Sequence, residues 1–166
     1  MPKASKTSRH RIRHVCTAIC LTAAHGATTL ANLAAPMVPF RADTHAKLLH
    51  FVRHAEASHN LQNDYTAHFD ASLTPAGVAQ ADALSEITGR MDFLELVVSS
   101  PLTRSLQTAT DGFVAALEAA TPFCAHEAAR ETVNYRCDAR RSVAQLALDF
   151  PHVSFEHVAD EDDELW

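Results

Sequence analysis

The chain has 166 residues, of which 47% are apolar, so it is long enough to bury one hydrophobic core and indicates a single globular domain. Its formal charge is -6, and every acidic residue lies at or after Asp43, so the body of the chain is strongly acidic. Because nucleic-acid binding depends on clustered Lys and Arg, this charge excludes nucleic acid as an expected partner.

Residues 1–46 are interpreted as a leader and linker. A basic front, a short apolar stretch over 15–24 and small residues follow one another, and Pro36 and Pro39 lie in the linker. Three interpretations stay open, namely a secretory signal, a mitochondrial or plastid transit peptide, and a disordered basic tail. A functional leader implies a secreted or organellar protein, and otherwise a cytoplasmic location is expected. The apolar stretch is too short to span a bilayer, which takes roughly 20 residues.

The predicted domain, residues 47–166, contains two cysteines, Cys124 and Cys137, because Cys16 and Cys20 fall in the leader. Neither has a CxxC spacing or clustered metal ligands nearby. We therefore expect two buried thiols rather than a zinc site, with a single disulfide as the alternative in a secreted chain.

The domain opens with LLHFV, a short apolar run that predicts a fully buried strand. A helix follows, with Thr74 as its N-cap, Pro75 at its first position and Gly89 at its C-cap. The face of this helix that we predict to be buried consists of Val78, Ala81, Leu84 and Ile87.

The remaining pattern continues the alternation of strands and helices. A second strand begins at Leu94 and ends in Ser99-Ser100-Pro101, which predicts a capped helix start. A short third strand is expected around Phe123, and a third helix over 142–150. In the helix that follows Pro101, the predicted buried positions are Leu106, Thr110, Phe113 and Leu117. In the third helix they are Val143, Leu146, Ala147 and Phe150. This order predicts an α/β fold with three αβα layers and a largely parallel sheet.

Polar side chains follow the first two predicted strands. Arg53 and His54 come after the first strand, and Arg104 comes after the second. Because ligands of such sheets bind beyond the carboxyl ends of the strands, we expect these residues to share one crevice. Two guanidiniums, the amide of Asn60 and the N–H groups of a helix start would form a pocket for a tetrahedral anion such as phosphate. An imidazole within that pocket has the chemistry of a nucleophile.

The alternative interpretation of the same residues is structural. A histidine at a strand end is often only hydrogen-bonded, and an arginine in the first turn of a helix is often solvated. His50 and His54 would suit a metal on a helix but not on a strand, so no metal is expected. His59 and His68 are interpreted as loop residues.

Three segments within 48–109 resemble the successive signatures of the histidine phosphatase superfamily, which has the phosphoglycerate mutase-like fold. They are LLHFVRHAEASHN, SLTPAGVAQA and LVVSSPLTRSLQTA. In the family, RHG or RHA is followed by an acidic residue and then by an Asn four positions later, as Glu56 and Asn60 stand here. The later segments ARETVNYRCDARRSV and FPHVSFEHVADEDDELW are similar to the eukaryotic phosphoglycerate mutase-like branch.

This resemblance implies a phosphoric monoester hydrolase or phosphomutase acting on a phosphorylated small molecule or phosphoprotein. His54 would become a phosphohistidine, while the phosphate oxygens would be held by Arg53, Asn60 and Arg104. Glu131 would protonate the leaving oxygen, with Glu127 as its near competitor. No metal or cofactor is implied, because arginines neutralise the phosphate.

The family also uses a second histidine on a late strand, in an SHG or GH element. None of His126, His152 and His157 has this sequence context, and the resemblance places the element beyond Trp166. We therefore expect a domain that is incomplete at its C-terminal end, with an unpaired edge on LLHFV and weak or no turnover. The alternative function is a non-catalytic phospho-ligand-binding or protein-binding remnant of this fold.

Overall fold

A computed structural model describes residues 14–18, 48–61, 65–91, 94–131 and 134–165. Five parallel strands form one sheet in the order β2-β1-β3-β4-β5. The strands are β1 His14–Ala18, β2 Leu48–Phe51, β3 Leu94–Ser99, β4 Phe123–His126 and β5 Ser154–His157. The α-helices are α1 Pro75–Thr88, α2 Thr103–Gly112, α3 Val114–Glu118 and α4 Val143–Asp149. The architecture confirms the predicted α/β fold with a parallel sheet. None of the helices among the described residues has the length and hydrophobicity that a membrane span requires.

Strand β1 lies between β2 and β3 and is parallel to both, with His14 aligned with Leu48 on one side and with Leu94 on the other. It belongs to the range 1–46, whose assignment as leader and linker stays a prediction. Strand β2 lies at the edge of the sheet.

The prediction that LLHFV is fully buried is wrong. Leu49 and Phe51 are 47% and 58% exposed. Because β2 is the edge strand of the described sheet, its side chains have strand neighbours on one side only. The apolar character of the run therefore does not report its burial.

Helix α1 has the predicted caps. The hydroxyl of Thr74 accepts a hydrogen bond from the N–H of Gly77, and Gly89 is the C-cap. Its buried face is rotated from the prediction, since Val78 and Ile87 are exposed. The buried positions are Gly77, Ala81, Leu84 and Thr88. The rotation places the backbone of Gly77 against the loop that follows β2.

Helix α2 starts later than the Ser99-Ser100-Pro101 pattern predicts. Its N-cap is Leu102, which has no polar side chain. Asp70 supplies the cap instead, because its carboxylate accepts from the N–H and from the hydroxyl of Thr103 at 2.8 and 2.5 Å. Arg141 donates to the same carboxylate at 3.1 Å, so a buried, charge-paired cap fixes the start of α2.

The hydrophobic core lies between the sheet and the helices. Of the predicted core positions, Leu106, Phe113, Leu146 and Phe150 are buried, whereas Ala147 is exposed. The two cysteines of the predicted domain are free thiols, with Cys137 buried and Cys124 partly buried.

Candidate active site

His54 lies just beyond the carboxyl end of β2 and is buried. Its Nδ1 is 2.6 Å from the carbonyl oxygen of Ala55. A carbonyl only accepts hydrogen bonds, so Nδ1 carries the proton and Nε2 keeps its lone pair. Burial and, second, the charge of Arg104 lower the pKa of His54 to about 3. The ring is therefore neutral near pH 7, which is the form that a nucleophile requires.

Helix α2 holds the loop that carries His54. The N–H of Ala55 donates to the hydroxyl of Thr108 at 3.0 Å, and this hydroxyl donates to the carbonyl of Arg104 at 2.8 Å. One turn of α2 thus contacts both the loop of His54, the predicted nucleophile, and the backbone of Arg104, a predicted phosphate ligand. This explains how residues about 50 positions apart are brought to the same edge of the sheet.

Helix α1 fixes the same loop from its other end. The carbonyl of Glu56 accepts from the N–H of Thr74 at 3.0 Å, and the Glu56 carboxylate accepts from the Thr74 hydroxyl at 2.6 Å. Gly77 packs directly against the Glu56 backbone, where an added Cβ would lie 2.0 Å from the carbonyl oxygen. Glu56, the acidic residue of the RHAE segment, therefore joins the loop after β2 to the start of α1.

Arg104 is 1% exposed, so the interpretation of this residue as a solvated arginine is wrong. Its two terminal nitrogens donate to the carbonyl of Cys137 at 2.6 Å and to the carboxylate of Asp138 at 3.2 Å. Its Nε–H is buried and has no hydrogen-bond partner among the described residues. The guanidinium is thus held rigidly, and its Nε–H is the donor that the described residues leave unused.

Arg53 is the more accessible cation of the site. Its side chain is exposed. After burial and the charge of Arg104, the charge of Arg53 also lowers the pKa of both His54 and His59. Arg53 is therefore within electrostatic reach of both imidazoles.

The interpretation of His59 as a loop residue did not predict that its side chain is buried next to His54. His59 lies in a 3-10 turn over Ser58–Asn60, is only 4% exposed, and its ring centroid is 5.7 Å from that of His54. Asn60, the predicted phosphate ligand, contacts it, because Asn60 Nδ2 lies 3.0 Å from His59 Nε2. No periodic pattern marks burial in so short a turn, so the sequence carries no signal for it.

The two candidate proton donors differ in their surroundings. Both carboxylate oxygens of Glu127 accept from guanidiniums, at 2.7 Å from Arg140 and at 3.1 Å from Arg130. Arg130 also forms a bidentate pair with Asp163 at 2.8 and 2.9 Å. Each oxygen of the Glu127 carboxylate is therefore already paired with a guanidinium. Glu131, which follows this network and is half-buried, stays the predicted donor.

The same network joins the two late segments of the sequence. Arg140, in the CDAR element, is buried and donates to the backbone carbonyls of Asp160, Glu161 and Asp162. The acidic stretch near the end of the chain is therefore folded around one arginine. Across the described residues, no group of three His, Cys, Asp or Glu is arranged to hold a metal ion.

Comparisons with known proteins show what the chain is similar to. The family model described as "Histidine phosphatase superfamily (branch 1)" matches residues 49–145. The Arabidopsis thaliana "Phosphoglycerate mutase-like protein" is 32% identical over 157 residues, a match that covers 72% of this chain and 58% of that protein. The Arabidopsis "Phosphoglycerate mutase-like protein 1" is 33% identical over 156 residues, covering 72% and 55%. The chain thus spans less than two thirds of the length of either relative. No solved structure matches it.

Proposed function

The chain belongs to the histidine phosphatase superfamily, and we propose that it transfers the phosphoryl group of a phosphoric monoester to Nε2 of His54, as a hydrolase or a phosphomutase. The observation that carries the proposal is the fixed tautomer of His54. The hydrogen bond from Nδ1 to the Ala55 carbonyl leaves the Nε2 lone pair as the nucleophile. The substrate class is a phosphorylated small molecule or a phosphoprotein.

In the first step, the Nε2 lone pair attacks phosphorus in line and forms the P–N bond while the P–O bond of the ester breaks. Glu131 protonates the departing oxygen. Positioning and charge neutralisation supply most of the catalysis in phosphoryl transfer, and Arg104 and Arg53 provide the positive charge. The sequence resemblance assigns Asn60 to the phosphate as well.

In the second step, Glu131, now a carboxylate, takes a proton from an attacking water or from an acceptor hydroxyl. The new P–O bond forms as the P–N bond breaks, and His54 returns to its neutral form with the proton still on Nδ1. Water as the acceptor gives a phosphatase, and a second hydroxyl compound gives a mutase.

Detection of an acid-labile phosphohistidine tests the proposal. The protein is incubated with p-nitrophenyl phosphate, quenched, and mapped by mass spectrometry, alongside His54→Ala and His157→Gln. The second variant is the matched control, because His157 is 49% exposed and lies on β5. We expect labelling in the wild type and in His157→Gln, and none in His54→Ala.

Labelling that persists in His54→Ala would remove His54 from the chemistry. Absence of labelling in every variant, together with measurable binding of vanadate, would favour a non-catalytic phospho-ligand-binding protein. Circular dichroism spectra and thermal unfolding of each variant ensure that a missing label reflects chemistry rather than unfolding.

A further inference from the structure

The side chains of Asn60 and His59 fix each other's orientation. The backbone N–H of Ala57 donates to Asn60 Oδ1 at 2.9 Å, which settles which end of the amide is the oxygen. The Nδ2 group of Asn60 therefore faces Nε2 of His59, at 3.0 Å. Because Nδ2 only donates, Nε2 of His59 accepts, and the proton of the neutral imidazole is on Nδ1.

This tautomer leaves a buried donor without an acceptor. Nδ1 of His59 is among the buried polar atoms that have no hydrogen-bond partner within the described ranges. Burying an unsatisfied donor is unfavourable, because the group loses its hydrogen bonds to water and gains none in return. Such a group in a folded protein calls for an explanation, and a ligand that supplies the acceptor is one.

The position of His59 indicates which ligand. Its ring centroid is 5.7 Å from that of His54. After burial, the charge of Arg104 and more weakly that of Arg53 lower the pKa of His59, while the charge of Asp138 raises it. Burial, with the charge of Arg104 second, lowers the pKa of His59 to about 4, so the ring stays neutral near pH 7. A neutral N–H within electrostatic reach of Arg104 and Arg53 can donate to an oxyanion while the ring itself stays uncharged.

We propose that Nδ1–H of His59 donates a hydrogen bond to an oxygen of the phosphoryl group bound at His54, and that Asn60 acts on this group by positioning His59. The inference rests on the proposed function for the identity of the anion. It assigns the contact with phosphate to a residue that the sequence signature alone does not single out. Preorganised donors of this kind are typically worth about 10²- to 10³-fold in rate.

The first test compares vanadate binding and the rate of His54 labelling in wild type, His59→Phe and His157→Phe. Phenylalanine keeps a ring of similar size and removes the N–H, and the same substitution at the half-exposed His157 is the control. We expect His59→Phe to weaken vanadate binding by about 10- to 100-fold and to slow labelling by about 10²- to 10³-fold. Binding and labelling at wild-type levels in a folded His59→Phe would overturn the inference.

A double-mutant cycle with Asn60→Ala tests the positioning role. If Asn60 acts through His59, the variant carrying both His59→Phe and Asn60→Ala binds vanadate as weakly as His59→Phe and no more weakly. If Asn60 binds the phosphoryl group independently, the losses of vanadate affinity in the two single variants multiply in the double variant. That result would show that Asn60 does not act by positioning His59.

A third measurement does not depend on any variant folding. Nitrogen NMR of the ring should show His59 in the Nδ1–H form, and the resonance of this proton should move when inorganic phosphate or vanadate binds. An Nε2–H tautomer, or a proton resonance that does not respond to the anion, would contradict the inference.

The outcomes separate this inference from the proposed function. Vanadate binding that depends on His59 in a protein that never labels at His54 would support the donor role and contradict the phosphoryl transfer. Labelling at His54 that is indifferent to His59→Phe would support the transfer and contradict the donor role.

Discussion

The backbone of Gly77 lies so close to the carbonyl of Glu56 that a Cβ at position 77 would be 2.0 Å from the oxygen. Contact at that distance is with backbone, which cannot rotate away as a side chain can. The first turn of α1 and the loop that carries His54 are therefore fitted to each other through a glycine.

We expect Gly77→Ala to disturb the site as well as the fold. Relief of the overlap must displace the loop, so the free energy of unfolding should fall by about 1–3 kcal/mol and His54 labelling should slow further than stability alone explains. Urea denaturation and the labelling rate measure the two effects. The control is Gly89→Ala at the exposed end of the same helix, where the nearest atom would be 3.1 Å away. Equal changes in unfolding free energy and in labelling rate for Gly77→Ala and Gly89→Ala would contradict a role for the Gly77–Glu56 contact in shaping the site.

The buried pair of Arg104 and Asp138 allows the structural and binding roles of Arg104 to be separated. Arg104→Met removes the guanidinium that pairs with this buried carboxylate, so we expect a loss of about 3–5 kcal/mol of stability together with loss of vanadate binding. Adding Asp138→Asn should restore much of the stability without restoring binding. Recovery of vanadate binding in the double variant would show that Arg104 does not contact the anion.

The two buried imidazoles should make stability depend on pH. The pKa of His54 is about 3 and that of His59 about 4 in the folded protein, against the ordinary value of 6.5. Below that value the unfolded chain takes up protons that the folded protein does not, so stability falls as the pH falls from about 6.5 toward 4. Each histidine should account for about 2 kcal/mol between pH 7 and about pH 5, at about 1.4 kcal/mol per pKa unit.

Urea denaturation of wild type, His54→Ala and His59→Phe at these two pH values measures this effect. Each variant should lose less stability on acidification than the wild type, because it lacks one buried imidazole. Identical losses in all three proteins would mean that neither ring is kept neutral by the fold.

Glu131 and Glu127 should respond differently to replacement by glutamine. Glu131→Gln should slow transfer from an alkyl phosphate by about 10²- to 10⁴-fold, and transfer from p-nitrophenyl phosphate far less, because a good leaving group needs no proton. Glu127→Gln should mainly lower stability, since Arg130 and Arg140 lose a charged partner. If Glu127→Gln rather than Glu131→Gln slows transfer from the alkyl phosphate selectively, then Glu127 is the proton donor.

The sequence predicted the ends of helices correctly where the capping residues are neighbours in the chain. The caps of α1 at Thr74, Pro75 and Gly89 act within one turn of the helix, and all three are as predicted. The cap of α2 is not local, because Asp70 reaches Thr103 across 33 residues of sequence. No inspection of the residues around Ser99-Ser100-Pro101 reveals it.

The site shows the same division. The position of His54 after a parallel strand, and of Arg104 in the next helix start, followed from the order of the elements. The tautomer of His54 depends on how the chain turns the Ala55 carbonyl toward the ring, and the unpartnered Nε–H of Arg104 and the burial of His59 depend on tertiary packing, so none of the three could be predicted. The exposure of Phe51 likewise depends on which strands flank β2, which hydrophobicity does not report.

The position of phosphorus on the imidazole is the most direct measurement of the central claim. Phosphoprotein trapped from p-nitrophenyl phosphate and analysed by phosphorus–nitrogen NMR distinguishes the two ring nitrogens. We expect the phosphoryl group on Nε2 of His54, because Nδ1 holds the proton that it donates to the Ala55 carbonyl. A phosphoryl group on Nδ1, or on a residue other than His54, would contradict the proposed chemistry.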